Sequence, residues 1–384
     1  MTSLFNKNLS KIQTSKIRQF DTYCNRFDDV IKLTLGQPLF PTPAPVKEKA
    51  VEALHRNITT YTPNRGAQVT QETILRYCKQ HFGFDYDLEE IIVGVGTTEV
   101  LAASLCSILN EGDEVIIPAP AYSGYEPLVL LNRCTAKTVD TAPDGFQLTV
   151  ENLKKHITSK TKCVILTDPS NPTGASLSRK NRDELAAFLA TTGIFVIADE
   201  VYNRILYTND HKSFGAYPEL RKQLIVVNSF SKSHSMTGWR LGWVLAGKDV
   251  INEIAKVHQY YVTAASTIGQ YALQAVLDPQ TEKELAHMVA SYRANMEYAC
   301  CELTQAGFDC KPPQGAFYLY LSTANFGVDG DAFARRLVQE TNVAIIPGDA
   351  FGDAYKNYVR ISYCIDKPTL TEALRRIAGF VAKL

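Results

Sequence analysis

The run LIVVNSFSKSHSMTGWRLGWVLA, residues 224–246, decides how this chain is read. It opens on four apolar residues, crosses a polar stretch, and closes on a second apolar run, GWVLA. Positions 229–243 hold five hydroxyl residues, one lysine and one arginine. Continuous apolar runs without in–out alternation are expected of strands covered on both faces, as in a mostly parallel sheet. A lysine among serines at the mouth of such a strand, with Arg240 a short way on, needs a chemical reason.

Working outward, runs of the same character occur at IIVGV (91–95), EVIIP (114–118), CVILT (163–167) and IFVIA (194–198). Helical patterns sit between them, such as 98–110 and 178–191. Strand alternating with helix predicts a doubly wound α/β unit. Residues 249–277 read as one or two helices. After about residue 280 the pattern changes to a long helix (280–306), GAFYLYL, another helix, VAIIP, YVRISY and a last helix from 368. With 384 residues, two domains are expected. The large one spans 46–280, with a mostly parallel central sheet in an αβα sandwich. The smaller, an α+β domain, combines 1–45 with 281–384. The Pro-rich link PLFPTPAP (38–45) suits a chain crossing between them.

Lys plus Arg and Asp plus Glu number 40 each, so nothing in the charge favours nucleic acid or a membrane surface. No apolar run approaches the length of a spanning helix. The start, MTSLFNKNLSKIQTSKIRQF, lacks the apolar core of a signal peptide and reads as a polar arm with a weak amphipathic turn. The nine cysteines form no CxxC or Cys/His cluster. No metal site or disulfide framework is expected, and the economical reading is reduced thiols in a cytoplasmic protein.

Polar residues gather where the strands end. EVIIP leads to Tyr122 and Tyr125, CVILT to Asn171, IFVIA to Asp199 and Tyr202, and LIVV to Ser229, Ser231 and Lys232. Ligands of open α/β sheets bind beyond those carboxyl ends. Taken singly, Asp199 reads as a helix cap, Asn171-Pro172-Thr173-Gly174 as a turn and Lys232 as a solvated amine. Taken together they suit one chemistry. A lysine can hold an aldehyde as a Schiff base, and a carboxylate can keep a ring nitrogen protonated so that the ring accepts electrons. An amide and a phenol can bond a ring oxygen, and an aromatic ring can stack on its face. Ser229, Ser231 and the forked guanidinium of Arg240 suit a phosphate. A second anion-binding element lies at Gly94-Val95-Gly96-Thr97-Thr98-Glu99, where a strand turns into a helix. Glu99 stands where the dinucleotide fingerprint needs glycine, and plain N-capping is the alternative reading of this turn.

The chain resembles the class I/II aminotransferases of the pyridoxal-phosphate fold type I superfamily. The likeness rests on SFSKSHSMTGWRLG (229–242), Asn171-Pro172-Thr173-Gly174, Asp199-Glu200-Val201-Tyr202, Tyr61-Thr62-Pro63-Asn64-Arg65-Gly66, Pro313-Gln314-Gly315-Ala316-Phe317-Tyr318 and Val359-Arg360-Ile361-Ser362. These occur in family order from about residue 30 to the C-terminus. The resemblance implies pyridoxal 5'-phosphate as cofactor, with Lys232 holding its aldehyde and later shuttling a proton. It implies Asp199 on the pyridine nitrogen, Asn171 and Tyr202 on the ring oxygen, and Tyr122 stacked on the ring. Gly96, Thr97, Thr98, Ser229, Ser231 and Arg240 would hold the phosphate. Tyr61 would reach the phosphate of a neighbouring subunit, which implies a homodimer with shared sites. Arg360 would clamp the substrate carboxylate, assisted by Asn171 and the Gly36 backbone.

The expected reaction moves an amino group from an L-amino acid to a 2-oxo acid, with 2-oxoglutarate as the expected acceptor. Aspartate-selective relatives often carry lysine at the position of Thr98, which bears no charge here. The runs LTLGQPLF, YTPNRG and KVHQYYV resemble the bacillar branch, described as N-acetyl-LL-diaminopimelate or aromatic aminotransferases. Two alternatives stay open on sequence: a C–S lyase of the same fold, and a non-enzymatic regulator. His234 and His258 have no role beyond packing or outer hydrogen bonding at this stage.

Overall fold

The computed structural model describes residue 4 and residues 6–384. Its strands are β1 (Ile31–Lys32), β2 (Ile91–Gly94), β3 (Glu114–Ala119), β4 (Thr135–Asp140), β5 (Thr161–Thr167) and β6 (Phe195–Asp199). They continue with β7 (Leu224–Asn228), β8 (Gly242–Ala246), β9 (Tyr318–Ser322), β10 (Val343–Ala344), β11 (Ile346–Pro347) and β12 (Tyr358–Ser362). The helices are α1 (Lys16–Cys24), α2 (Ala44–His55), α3 (Gln68–Phe82), α4 (Gly96–Ile108), α5 (Tyr125–Leu131) and α6 (Val150–Lys154). They continue with α7 (Arg179–Ala190), α8 (Lys248–Val262), α9 (Thr267–Ala272), α10 (Pro279–Gln305), α11 (Gly330–Thr341) and α12 (Lys367–Val381). Short 3-10 turns connect several of them.

Seven strands form one sheet in the order β2-β8-β7-β6-β5-β3-β4. The pairs β3/β4, β3/β5, β5/β6 and β6/β7 are parallel, and the protein is an α/β protein with a mostly parallel central sheet. β8 runs antiparallel to both β7 and β2. The link from β7 to β8 explains this. It carries no crossover helix, and a parallel return would need one. The chain therefore doubles back, and the carboxyl ends of β2, β3, β5, β6 and β7 share an edge with the amino end of β8. All five residues of β7 and of β8 are buried, as their apolar runs require. β4 went unread in the sequence: TAKTVD is a polar edge strand with one buried residue.

Apolar side chains cover both faces of this sheet, including Val164, Val196 and Val226 on one and Ile165, Ile197 and Ile225 on the other. A separate core joins Leu285, Tyr292, Phe333, Ile361 and Leu370 around the antiparallel sheet β11-β12-β9. Phe20, Cys24 and Leu33 pack into that second core, and β1 pairs with β10. Helix α1 exceeds the weak turn expected of the arm, because only tertiary burial of Phe20 and Cys24 gives it a partner. We propose that the two cores mark the division expected from sequence, 46–280 against 1–45 with 281–384. The single long helix expected as one option over 249–277 is instead two, α8 and α9, separated where Thr263 takes φ +63.

Candidate active site

Lys232 leaves the end of β7 in a loop held by its own polar groups. The Ser229 amide donates to Asn228 Oδ1 at 2.7 Å, and the Ser231 amide to Ser229 Oγ at 3.3 Å. The amine of Lys232 donates to the Gly36 carbonyl at 2.7 Å. Burial, together with the cations Arg240 and Arg360, lowers its pKa to about 8 against the opposing pull of Cys364 and Asp199. About a tenth of the amine is thus neutral at pH 7, far more than an ordinary lysine would offer. Cys364 shares this strap of main chain, its thiol 3.1 Å from the Gln37 carbonyl.

Asp199 ends β6 and is buried. Burial pushes its carboxyl up to about 6, restrained by hydrogen bonds from the Tyr125 hydroxyl (2.7 Å) and the Val201 amide (3.3 Å). Tyr125 was read from sequence only as an aromatic at a strand end. Its role as partner of Asp199 depends on the first turn of α5 facing β6, which no local pattern reveals. Tyr122 lies over Tyr125 edge-on, with centroids 5.4 Å apart, and keeps one face open.

Arg360 stands in the middle of β12 and is buried. Its guanidinium donates to Asn171 Oδ1 at 2.9 Å and to the Thr34 carbonyl at 2.6 Å, and it lies 4.4 Å from the Tyr318 ring centroid. Its Nε is buried with no hydrogen-bond partner among the described residues. A buried, incompletely satisfied guanidinium is costly, and a carboxylate is its natural complement. Tyr202 is buried, and its hydroxyl pairs with that of Tyr318 at 2.8 Å.

The Asn171 loop is itself anchored by an ion pair that the sequence did not suggest. Arg182 donates to Asp168 Oδ2 through Nε (3.1 Å) and Nη2 (2.7 Å), and both side chains are buried. Ser176 Oγ and the Leu177 amide donate to the other Asp168 oxygen, Oδ1. Asp168 sits three residues before Asn171 and Arg182 a helix turn into α7, so only the fold brings them together.

The second anion-binding element is built as its glycines require. Among the described residues no side chain bonds the first amides of α4 from Gly96 on; Glu99 reaches back only to the Val95 amide before them. Gly96 has φ +73, and a Cβ there would strike the Arg240 guanidinium. A Cβ on Gly242 would sit 2.7 Å from Gly96 C and 2.9 Å from Thr97 N, so β8 can approach the turn only with glycine. Arg240, at φ +54, folds back over this helix start while remaining exposed. Thr97 and Thr98 do not cap the helix. Tyr61 is 86% exposed, on a loop fastened to the end of α8.

Comparison with known proteins matches this geometry to a family. The profile of aminotransferase class I and II covers residues 28–377. The chain belongs to the aminotransferase class I and II family. This aminotransferase is 41% identical, over all of its length and 97% of the relative's, to a Bacillus subtilis protein named "probable N-acetyl-LL-diaminopimelate aminotransferase". It superposes on the aromatic aminotransferase of Pyrococcus horikoshii with TM-score 0.92 at 35% identity, covering 98% of each chain. It matches the aspartate aminotransferase of Thermotoga maritima with TM-score 0.92 at 32% identity, covering 98% of this chain and all of that one.

The side chains of this aminotransferase fit a phosphorylated pyridine aldehyde. A helix start with free first amides roofed by Arg240 suits the phosphate, a half-buried amine of lowered pKa the aldehyde, and a buried acid the ring nitrogen. Among the described residues no helix is long and apolar enough to cross a membrane.

Proposed function

We propose that the chain is a pyridoxal-phosphate-dependent aminotransferase that takes the amino group of a bulky L-amino acid and passes it to 2-oxoglutarate. The convergence of Lys232 and Asp199 at the carboxyl edge of the seven-stranded sheet with Arg360, which reaches the Asn171 loop from β12 of the smaller sheet, carries this reading. When bound, pyridoxal 5'-phosphate supplies an aldehyde that condenses with amines and a ring that accepts the electron pair left at the substrate Cα. Lys232 would remove the Cα proton as a neutral amine and deliver it to the carbon that bore the cofactor's aldehyde oxygen. Asp199 keeps a proton on the ring nitrogen. Arg360 and Asn171 hold the substrate α-carboxylate, and Tyr122 covers the ring. Tyr202 and Asn171 hydrogen-bond the ring oxygen. The amides of Gly96, Thr97 and Thr98, the hydroxyls of Ser229 and Ser231, and Arg240 hold the phosphate.

A bulky donor, with an aromatic side chain or N-acetyl-LL-diaminopimelate, is supported by three things. Thr98 offers no cation to a short dicarboxylate. A cavity of about 780 Å³ adjoins the proposed site at Tyr122 and Tyr125, with Lys232, Asp199 and Arg360 outside its lining. The Bacillus subtilis and Pyrococcus horikoshii relatives carry names of that kind. We also read the protein as a cytoplasmic homodimer with shared sites. Tyr61, Tyr260 and Tyr261 are all exposed, and the loop bearing Tyr61 runs along the end of α8. An exposed aromatic patch of this kind suits a second copy of the chain.

The test is a donor panel. Purified protein loaded with pyridoxal 5'-phosphate is mixed with glutamate, aspartate, phenylalanine, tyrosine or N-acetyl-LL-diaminopimelate, and the long-wavelength absorbance is followed. Loss of that band with a bulky donor, restored by 2-oxoglutarate, is expected. A protein that stays colourless with the cofactor, or that retains no borohydride-fixed adduct on Lys232, overturns the proposal.

A further inference from the structure

We propose that His258 is a positioning residue for the phosphate cup, acting as an imidazolium that neutralises Glu99 under the first turn of α4 and ties that turn to the 61–66 loop. The inference rests on the cofactor reading above. His258 lies on α8 and is fully buried. Its Nδ1 is 2.9 Å from Glu99 Oε1 and its Nε2 is 2.8 Å from the Asn64 carbonyl. A carbonyl and a carboxylate only accept, so both ring nitrogens must donate, which makes the ring a cation. Burial alone would lower the pKa of His258, but the hydrogen bond and charge of Glu99 and the Asn64 carbonyl outweigh it and raise it.

Glu99 is where a phosphate-binding helix should not want a carboxylate. Its Oε2 accepts from the Val95 amide at 3.0 Å, directly before Gly96. The carboxylate therefore folds back on the start of its own helix and sits in the same positive field that would attract a phosphate. An uncompensated anion there repels a second one; a cation on its far side relieves the conflict without itself touching the phosphate. The same ring fastens Asn64. That loop has two more ties to α8 and its end, Asn64 Nδ2 to the Thr263 carbonyl (2.7 Å) and Arg65 Nη2 to Asn252 Oδ1 (2.7 Å). The loop carrying Tyr61 and the helix start that faces the chain's own phosphate are thus held in register by one histidine. The other titratable groups facing this pair are Tyr261 and, beside it, Cys106.

The test compares two probes on the cofactor-free full-length protein: pyridoxal 5'-phosphate and pyridoxal, which lacks the phosphate. His258→Leu should weaken the phosphorylated probe about ten- to hundredfold, the range seen for outer partners of metal ligands, and leave pyridoxal binding unchanged. Adding Glu99→Gln to His258→Leu should restore most of the loss, because the stranded carboxylate is gone. Equal losses for both probes, no loss, or no rescue by the second substitution would overturn the inference. A second measurement does not need the leucine variant to fold. In the unaltered protein with nitrogen-15 histidine, the resonance absent from His258→Gln should show both ring nitrogens protonated at pH 7.5, and a neutral tautomer there would refute the proposal. Wild-type protein that binds no pyridoxal 5'-phosphate contradicts the proposed function, whereas wild type that binds it with His258 neutral contradicts only this inference.

Discussion

The Tyr125 hydroxyl donates to Oδ2 of Asp199 at 2.7 Å and lies 2.7 Å from Thr167 Oγ1. Among the described residues it is the one side-chain hydrogen bond that holds down the pKa of this buried carboxylate; burial at the end of β6 still destabilises the charged form, and a protonated ring nitrogen would compensate for that. In the cofactor-free protein the folded chain keeps the Asp199 proton up to about 6, while an unfolded chain releases it near 3.8. The folded state binds more protons across that interval, so stability falls as pH rises through it. Asp199→Asn should therefore unfold at higher temperature than wild type at neutral pH, by on the order of 1–3 kcal/mol, with the advantage vanishing by about pH 4. Transamination by the variant should drop at least about 100-fold. Thermal unfolding without cofactor at several pH values checks the first part; an advantage that persists unchanged in acid contradicts it.

Lys232 shows the opposite linkage. Its folded pKa of about 8 lies below the ordinary 10.5, so between those values the folded chain binds fewer protons and stability rises with pH. The rate at which cofactor-free protein captures the cofactor aldehyde should climb through about pH 8 and then level off. Stopped-flow absorbance measures it, and a rate still climbing steeply toward pH 10 would contradict the depressed value. Lys232→Ala should lower turnover by at least about 10⁴-fold.

Arg360→Lys keeps the charge and loses the fork. A lysine cannot reach Asn171 Oδ1 and the Thr34 carbonyl together while presenting two donors to a carboxylate. The expected result is a kcat/KM for the amino donor lower by about 10–100-fold, the loss of one or two charge-assisted hydrogen bonds. Steady-state kinetics with the best donor of the panel decides it, and a wild-type value would remove Arg360 from the substrate site.

Arg182→Met strips the partner from a carboxylate that is 1% exposed. Leaving Asp168 charged and buried should cost about 3–5 kcal/mol of stability. Adding Asp168→Asn should recover a large part of it, since the stranded charge is removed. Denaturant unfolding of both variants gives the numbers; a single variant as stable as wild type would show that the pair is dispensable.

Hybrid dimers test the sharing of sites. Lys232→Ala and Tyr61→Ala subunits are each impaired alone. If Tyr61 serves the partner's phosphate, mixing them restores one intact site per hybrid, about a quarter of all sites at equal mixing. Activity that stays at the sum of the two parents would mean that Tyr61 serves its own chain or none.

Apolar runs and their order announced most of the large sheet, because a strand covered on both faces must be continuously hydrophobic. Lys232, Asp199 and Asn171 could be singled out for the same kind of reason, each a polar residue just beyond such a run. Arg360 came only from the family resemblance, because a lone arginine in a strand reads equally well as a surface or ion-paired residue. The edge strand β4 and helix α1 escaped notice because their stability comes from neighbours rather than from their own periodicity. What only the folded chain decided is which distant groups meet. Tyr125 on Asp199, Arg182 on Asp168 and His258 between Glu99 and Asn64 are pairings across 14 to 194 positions of sequence. Hydrogen bonds and ion pairs act over a few ångströms, and residue order carries no record of such distances until the backbone has closed them.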